Sequence, residues 1–197
     1  TGHFVYDLGQ NMVGTVRLHL KGERGLSIKL RYGEMSYANS EIYIKNIRSA
    51  ANTDTYTFSG DENGETFVPS FTSHGFRYVE ITGNGCELSD ISCVTSLEGL
   101  VLCNTPDTTG SFECSDPLVN QLQSNIQWGQ RGNSLLVYTD CPQRNERMGW
   151  TGDAQVFAPT AAFNMDVQSF MNKWLLDVRD GQLMYNRQGA VPDTAPL

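Results

Sequence analysis

The apolar residues of this chain change their spacing near residue 105, and no other feature bounds the fold so tightly. Before that point, Val16, Leu18 and Leu20 alternate with Arg17 and His19, and Leu26, Ile28, Leu30 and Tyr32 alternate with Ser27, Lys29 and Arg31. A period of two places one set of side chains on one face of an extended strand. Phe4–Leu8, Thr53–Ser59, Thr66–Pro69, Phe76–Thr82 and Leu88–Thr95 read as further strands. Turn clusters at residues 21–23, 60–64 and 83–85 separate them, and the polar run Ser36–Asn52 reads as a loop. Short strands punctuated in this way predict an antiparallel β-sandwich or jelly roll. Phe71, Phe76 and Tyr78 are expected in its core, and His74 in a structural role.

Beyond residue 105 the period becomes helical. Ser115-Asp116-Pro117 carries a capping residue followed by proline at the first turn. Leu118, Leu122 and Ile126 then recur at spacing four, predicting a helix to about Gly132. Thr151–Phe163 is a second helical segment, interrupted by Pro159. Asp166 caps a third, with Val167, Phe170, Met171, Trp174, Leu175 and Val178 along one stripe. Trp128 and Trp174 are assigned to packing. Proline, aspartate, threonine and glycine cluster in Asn104–Gly110, so the expected domains are 1–104 and 105–197. Three one-sided helices cannot close a core by themselves. The chain opens at Thr1 without a methionine and stops after an apparent loop, so it reads as an excerpt of a longer protein.

The stretch of densest chemistry is Asp140-Cys-Pro-Gln-Arg-Asn-Glu-Arg-Met-Gly-Trp-Thr-Gly-Asp153. Glycosidic hydrolysis needs an acid to protonate the departing oxygen, and a base or nucleophile on the other face of the sugar. The acid must hold its proton near neutral pH, through burial or a neighbouring negative charge. Glu146 has Asp140 and Asp153 on either side; if the loop folds back, they disfavour its ionisation. Arg144 and Arg147 oppose that shift, so sequence leaves the net direction open. Asp140 and Asp153 suit sugar hydroxyls, and Trp150 offers a flat apolar face to a pyranose. The competing reading is a solvated loop whose charges pair with one another. Asp193, between Pro192 and Thr194, is a further candidate for the mouth of such a site.

A formal charge of −8 and a pI near 4.8 argue against nucleic acid as a partner, because binding there rests on neutralising phosphates. No stretch approaches the roughly 18 apolar residues of a membrane span. The five cysteines, Cys86, Cys93, Cys103, Cys114 and Cys141, form no Cys-x-x-Cys pair, which disfavours a zinc site. Free thiols are expected; Cys86 with Cys93, or Cys103 with Cys114, is the oxidised alternative. The residues indicate no metal or redox cofactor and assign no compartment.

The 140–153 stretch resembles the signature of bacterial α-L-rhamnosidases, the inverting glycoside hydrolases of family 78. Residues 6–14, 71–80, 110–116, 128–133 and 191–196 resemble other segments of that family, so the likeness runs along nearly the whole chain. It implies a concanavalin-like β-sandwich followed by the first helices of an (α/α)6 six-hairpin barrel. It implies Glu146 as general acid, Asp140, Arg144 and Asp153 as holders of rhamnose hydroxyls, and Trp150 as an aromatic wall. Asn145 stands where many relatives carry aspartate. The family's general base is a glutamate from later in the barrel, so the 197 residues alone are expected to be inactive. The implied substrate is a rhamnose-containing glycoside or oligosaccharide, and the implied partner is the rest of the polypeptide. Two readings from other classes stand beside it: a non-catalytic carbohydrate-binding module in the sandwich half, and a structural scaffold of a larger glycosidase.

Overall fold

The computed structural model describes residues 2–84, 88–104, 107–185 and 189–196. The backbone separates into two compact units, Thr1–Leu102 with Gln143–Asn145, and Cys103–Pro142 with Glu146–Leu197. Among the described residues, no helix is long and apolar enough to cross a membrane.

The first unit is an antiparallel β structure. Its strands are β1 (His3–Leu20), β2 (Ser27–Gly33), β3 (Met35–Ser36), β4 (Ile42–Tyr43), β5 (Thr53–Thr57), β6 (Glu65–Phe67), β7 (His74–Gly83) and β8 (Val94–Val101). A six-stranded sheet runs in the order β5-β2-β7-β1-β6, with β8 also paired to β1, and β3 and β4 form a separate ladder. The alternating residues point inward as the period requires: Val16, Leu18, Leu20, Ile28, Leu30, Tyr32, Phe76, Val79 and Ile81 are all buried in one cluster. Each fully buried aliphatic side chain of this kind contributes about 1.5–3 kcal/mol.

Four details depart from the sequence reading. Phe4–Leu8 and Val16–Leu20 are two ends of a single strand, carried through by a register shift between Asp7 and Met12. The last strand starts at Val94 rather than Leu88, although Leu88 still joins the core. Ser36–Asn52 is not wholly loop, because β4 and a 3₁₀ turn at Lys45–Ile47 bury Ile42 and Ile47. Phe71 is outside the core, fully exposed with φ 58, because the chain turns there before β7 begins. His74 takes the structural place expected of it. Its Nδ1 meets Asn52 Oδ1 at 2.7 Å, its Nε2 meets Asp54 Oδ2 at 2.8 Å, and its ring stacks on Tyr32.

The second unit holds α1 (Pro117–Asn133), α2 (Thr151–Asn164) and α3 (Gln168–Tyr185). Asp116 Oδ1 accepts from the Leu118 amide at 2.8 Å, with Pro117 opening α1. Asp166 Oδ1 accepts from the Gln168 amide at 3.1 Å. Both caps satisfy amides that a helix start leaves open. α2 runs on through Pro159, which forgoes its own bond to the carbonyl four residues back. Val167, Phe170 and Trp174 pack with Tyr138, Ala154, Ala161, Met165 and Ala195 in a second cluster. Trp128 is half-buried under the Arg131 guanidinium rather than in that cluster. Leu118, Leu122 and Leu175, expected on core-facing stripes, are exposed.

Cys114 keeps a free thiol that donates to Asp116 O at 3.5 Å, so the Cys103–Cys114 alternative is not formed. Cys86 lies outside the described residues, and so does the alternative of pairing it with Cys93.

Candidate active site

The two ends of the 140–153 stretch, residues 140–142 and 146–153, lie in the second unit and fold back on each other. The Asp140 amide donates to Met148 O at 3.0 Å, and the Met148 amide donates to Asp140 Oδ1 at 2.7 Å. Cys141 and Arg147 take left-handed backbone angles, φ 39 and φ 57, to make the reversal. This fold brings Glu146 onto Asp140. Their carboxyl oxygens and the Cys141 sulfur all lie within 4.8 Å of one another.

Burial pushes the Asp140 carboxyl above its ordinary 3.8, and contact with the Glu146 carboxyl pushes it further. The Met148 amide and the Cys141 thiol, both donating to Asp140, oppose that rise without cancelling it. Two carboxyls in contact hold a proton more tightly than either would alone and titrate as a pair. The separation also limits what the pair can do. An inverting acid and base stand roughly 6.5–9.5 Å apart, to leave room for water beneath the sugar. Asp140 and Glu146 are closer than that and hydrogen-bonded. A pair this close can hold one proton between its carboxyls, and the gap between them is too small for the water that separates an inverting acid from its base.

Asp140 also opens onto a cavity of about 450 Å³ whose walls include Trp150, Asp153, Tyr138, Thr139 and Gln130. Asp153 sits in the first turn of α2, where the helix dipole favours a negative charge. Trp150 precedes that helix, and its backbone is held by a segment far off in sequence. The Thr151 amide donates to Asp193 O at 2.9 Å, the Ala195 amide to Gly149 O at 2.9 Å, and Trp150 bridges to Thr194. Trp174 Nε1 donates to Ala195 O at 3.0 Å, closing the brace. Gly149 is required by this approach, since a Cβ there would sit 2.2 Å from Ala195 O.

Four of the five residues singled out from sequence therefore meet in the second unit: Asp140, Glu146, Trp150 and Asp153. Arg144, with Gln143 and Asn145, belongs to the first unit. Gln143 sits on Gly75, where a Cβ would lie 2.5 Å from that of Gln143, and Asn145 Nδ2 donates to Ser49 Oγ at 2.6 Å. Asp193 contributes its carbonyl to the Trp150 brace, and it lines a second cavity of about 540 Å³ with Trp150, Asp153 and Trp174. Sequence reasoning missed Gln130, Tyr138 and Thr139. They carry no chemical signature, and only their place beside the end of α1 brings them to the cavity.

Comparison with known proteins points the same way. Residues 1–102 match the bacterial alpha-L-rhamnosidase concanavalin-like domain, and residues 107–197 match the bacterial alpha-L-rhamnosidase 6 hairpin glycosidase domain. An alpha-L-rhamnosidase of Streptomyces avermitilis is 51% identical over 99% of this chain, and one of Formosa agariphila is 44% identical over 98%. The chain spans 18% and 20% of the length of those two relatives. The crystal structure of the Streptomyces avermitilis alpha-L-rhamnosidase complexed with L-rhamnose superposes with a TM-score of 0.89 at 49% identity, covering 100% of this chain and 18% of that one. An alpha-L-rhamnosidase from Dictyoglumus thermophilum superposes at 0.88 with 39% identity, covering 99% of this chain and 21% of that one.

Proposed function

The chain belongs to the bacterial α-L-rhamnosidases, and on that premise we propose that the whole protein hydrolyses terminal non-reducing α-L-rhamnosyl groups with inversion. Glu146 protonates the departing oxygen. Asp140 and Asp153 accept rhamnose hydroxyls, and Trp150 lies against the ring. For Arg144 a sugar-holding role rests on the resemblance alone. In domain terms, residues 1–104 form the sandwich and residues 105–197 begin the six-hairpin catalytic domain.

The observation that carries this reading is the contact of Asp140 with Glu146 beside a cavity walled by Trp150 and Asp153. A paired carboxyl keeps its proton at higher pH than an isolated one, which is what a general acid needs. The base that activates water must stand farther off, and the resemblance assigns it to a glutamate of later sequence. The exposed apolar residues of the three helices fit packing against further helices of the same polypeptide.

The test is Glu146→Gln in the whole enzyme. The expected result is a loss of kcat of about 10²–10⁴-fold on rhamnosides with poor leaving groups, with little loss where the leaving group departs unaided. An equal rate on poor leaving groups would remove Glu146 from the acid role. The 197-residue chain, assayed in parallel, is expected to give no turnover.

A further inference from the structure

Trp150 occupies a position that its side chain serves badly. It is the capping residue of α2, where a serine, threonine, aspartate or asparagine would accept from an open amide, and its indole makes no such bond. The strap formed by residues 192–195 supplies what the indole does not. The Thr151 amide donates to Asp193 O at 2.9 Å, and the Ala195 amide donates to Gly149 O at 2.9 Å, so the backbone is tied on both sides of Trp150. A residue that breaks a local rule persists where function uses it and the fold compensates.

Two side chains hold the strap. Trp174 is buried in the core of the helical unit, with its ring edge-on to Tyr138, and sequence alone assigns it to packing. Its Nε1 nevertheless donates to Ala195 O at 3.0 Å. Ala195 is fully buried, and a buried carbonyl without a donor is costly. The indole nitrogen is a donor and nothing else, so the bond holds Ala195 where its own amide meets Gly149. Thr151 works from the other end: its Oγ1 donates to Pro192 O at 2.7 Å, with Asp193 O 3.1 Å away. Phenylalanine at 174 or valine at 151 would keep an apolar body there and lose the bond.

We propose that Trp174 and Thr151 are positioning residues that clamp residues 192–195 against Gly149–Thr151 and thereby hold the Trp150 indole in place for the sugar. The inference rests on the reading of Trp150 as the aromatic wall of the site, and it adds the residues that keep that wall fixed. A strap bonded on each side of Trp150 removes backbone freedom before a ligand arrives. Preorganisation of this kind strengthens binding by lowering the ordering cost.

The test is L-rhamnose binding to the whole enzyme, followed by titration calorimetry. Trp150→Ala should weaken binding by about tenfold or more. Trp174→Phe and Thr151→Val should each weaken it several-fold, whereas Thr151→Ser, which keeps the hydroxyl, should bind as the unaltered enzyme does. Added to Trp150→Ala, neither Trp174→Phe nor Thr151→Val should weaken binding further, because residues that act through one side chain are not additive. Unaltered affinity in both Trp174→Phe and Thr151→Val, or an equal loss with and without the Trp150 indole, would overturn the clamp while Trp150 remains the wall. Unaltered affinity in Trp150→Ala would overturn the wall reading, and the proposal with it. If Trp174→Phe does not fold, the contrast between Thr151→Val and Thr151→Ser decides.

Discussion

The sheet unit and the helical unit bury their apolar residues to different extents. In the sheet unit, Val16, Leu18, Ile28, Leu30, Tyr32, Phe76, Val79 and Ile81 have no exposed surface. In the helical unit, Leu118 is 78% exposed and Phe163 is 82% exposed, although both sit on regular helices. A strand that returns beside its neighbour helps close the face it belongs to. A helix can cover only one side of another, so a group of three leaves apolar surface that needs a further layer. The site lies in the less covered unit, on a loop reversal and a helix start, braced by the segment around Thr194.

The contrast can be broken most directly in the sheet core. Phe76→Ala should lower the unfolding free energy by about 3–5 kcal/mol, read by urea denaturation of the sheet unit's signals. A loss under about 1 kcal/mol would mean that the sheet core is not the tightly packed region described here.

A second test uses two aspartates with opposite pH signatures. For Asp54, burial tends to raise the carboxyl, but hydrogen bonds from His74 and Tyr32 outweigh it and hold the carboxyl below 3.8. The unfolded state then binds protons more readily, so Asp54 stabilises the fold above about pH 3.8, and this is lost as pH falls through its lowered folded value. Asp140 is raised instead, so the native state keeps its proton longer, and stability declines as pH rises from 3.8 through the raised value. Above both windows, Asp54→Asn should destabilise the chain and Asp140→Asn should stabilise it, as measured by denaturation at several pH values. Changes of the same sign would erase the distinction.

The smallest effect sharpens the comparison from the helical side. Leu122→Gln removes an apolar side chain that is 56% exposed, so the stability of the chain should change by no more than about 0.5 kcal/mol. A loss as large as that of Phe76→Ala, in the same denaturation experiment, would show that this helical stripe is as well packed as the sheet core.

Much of the fold was legible because its signals are local. Alternation in Val16–Leu20 and Leu26–Tyr32 names the inward face whatever the partner strand. Asp116-Pro117 and Asp166 mark helix starts through bonds to amides two residues on. Phe71 was misread because hydrophobicity says nothing about a chain reversal that throws the ring outward. The site was partly legible for the same reason: acids, arginines and an indole cluster within one stretch, and the family resemblance gives each a role.

The amino-acid sequence by itself determined the two structural languages, the place where one gives way to the other, the helix starts and the stretch that carries the chemistry. Only the tertiary structure decided that Phe4–Leu8 and Val16–Leu20 are one strand, that Glu146 rests on Asp140 with Cys141 beside them, that residues 192–195 brace Trp150, and that Arg144 belongs to the sheet unit. The physical reason is range. Periodicity and capping depend on neighbours a few residues apart, which the order of residues specifies directly. A contact between Gly149 and Ala195, or the proton balance of two carboxyls, depends on burial and distance across a closed loop, and those exist only once the chain has folded.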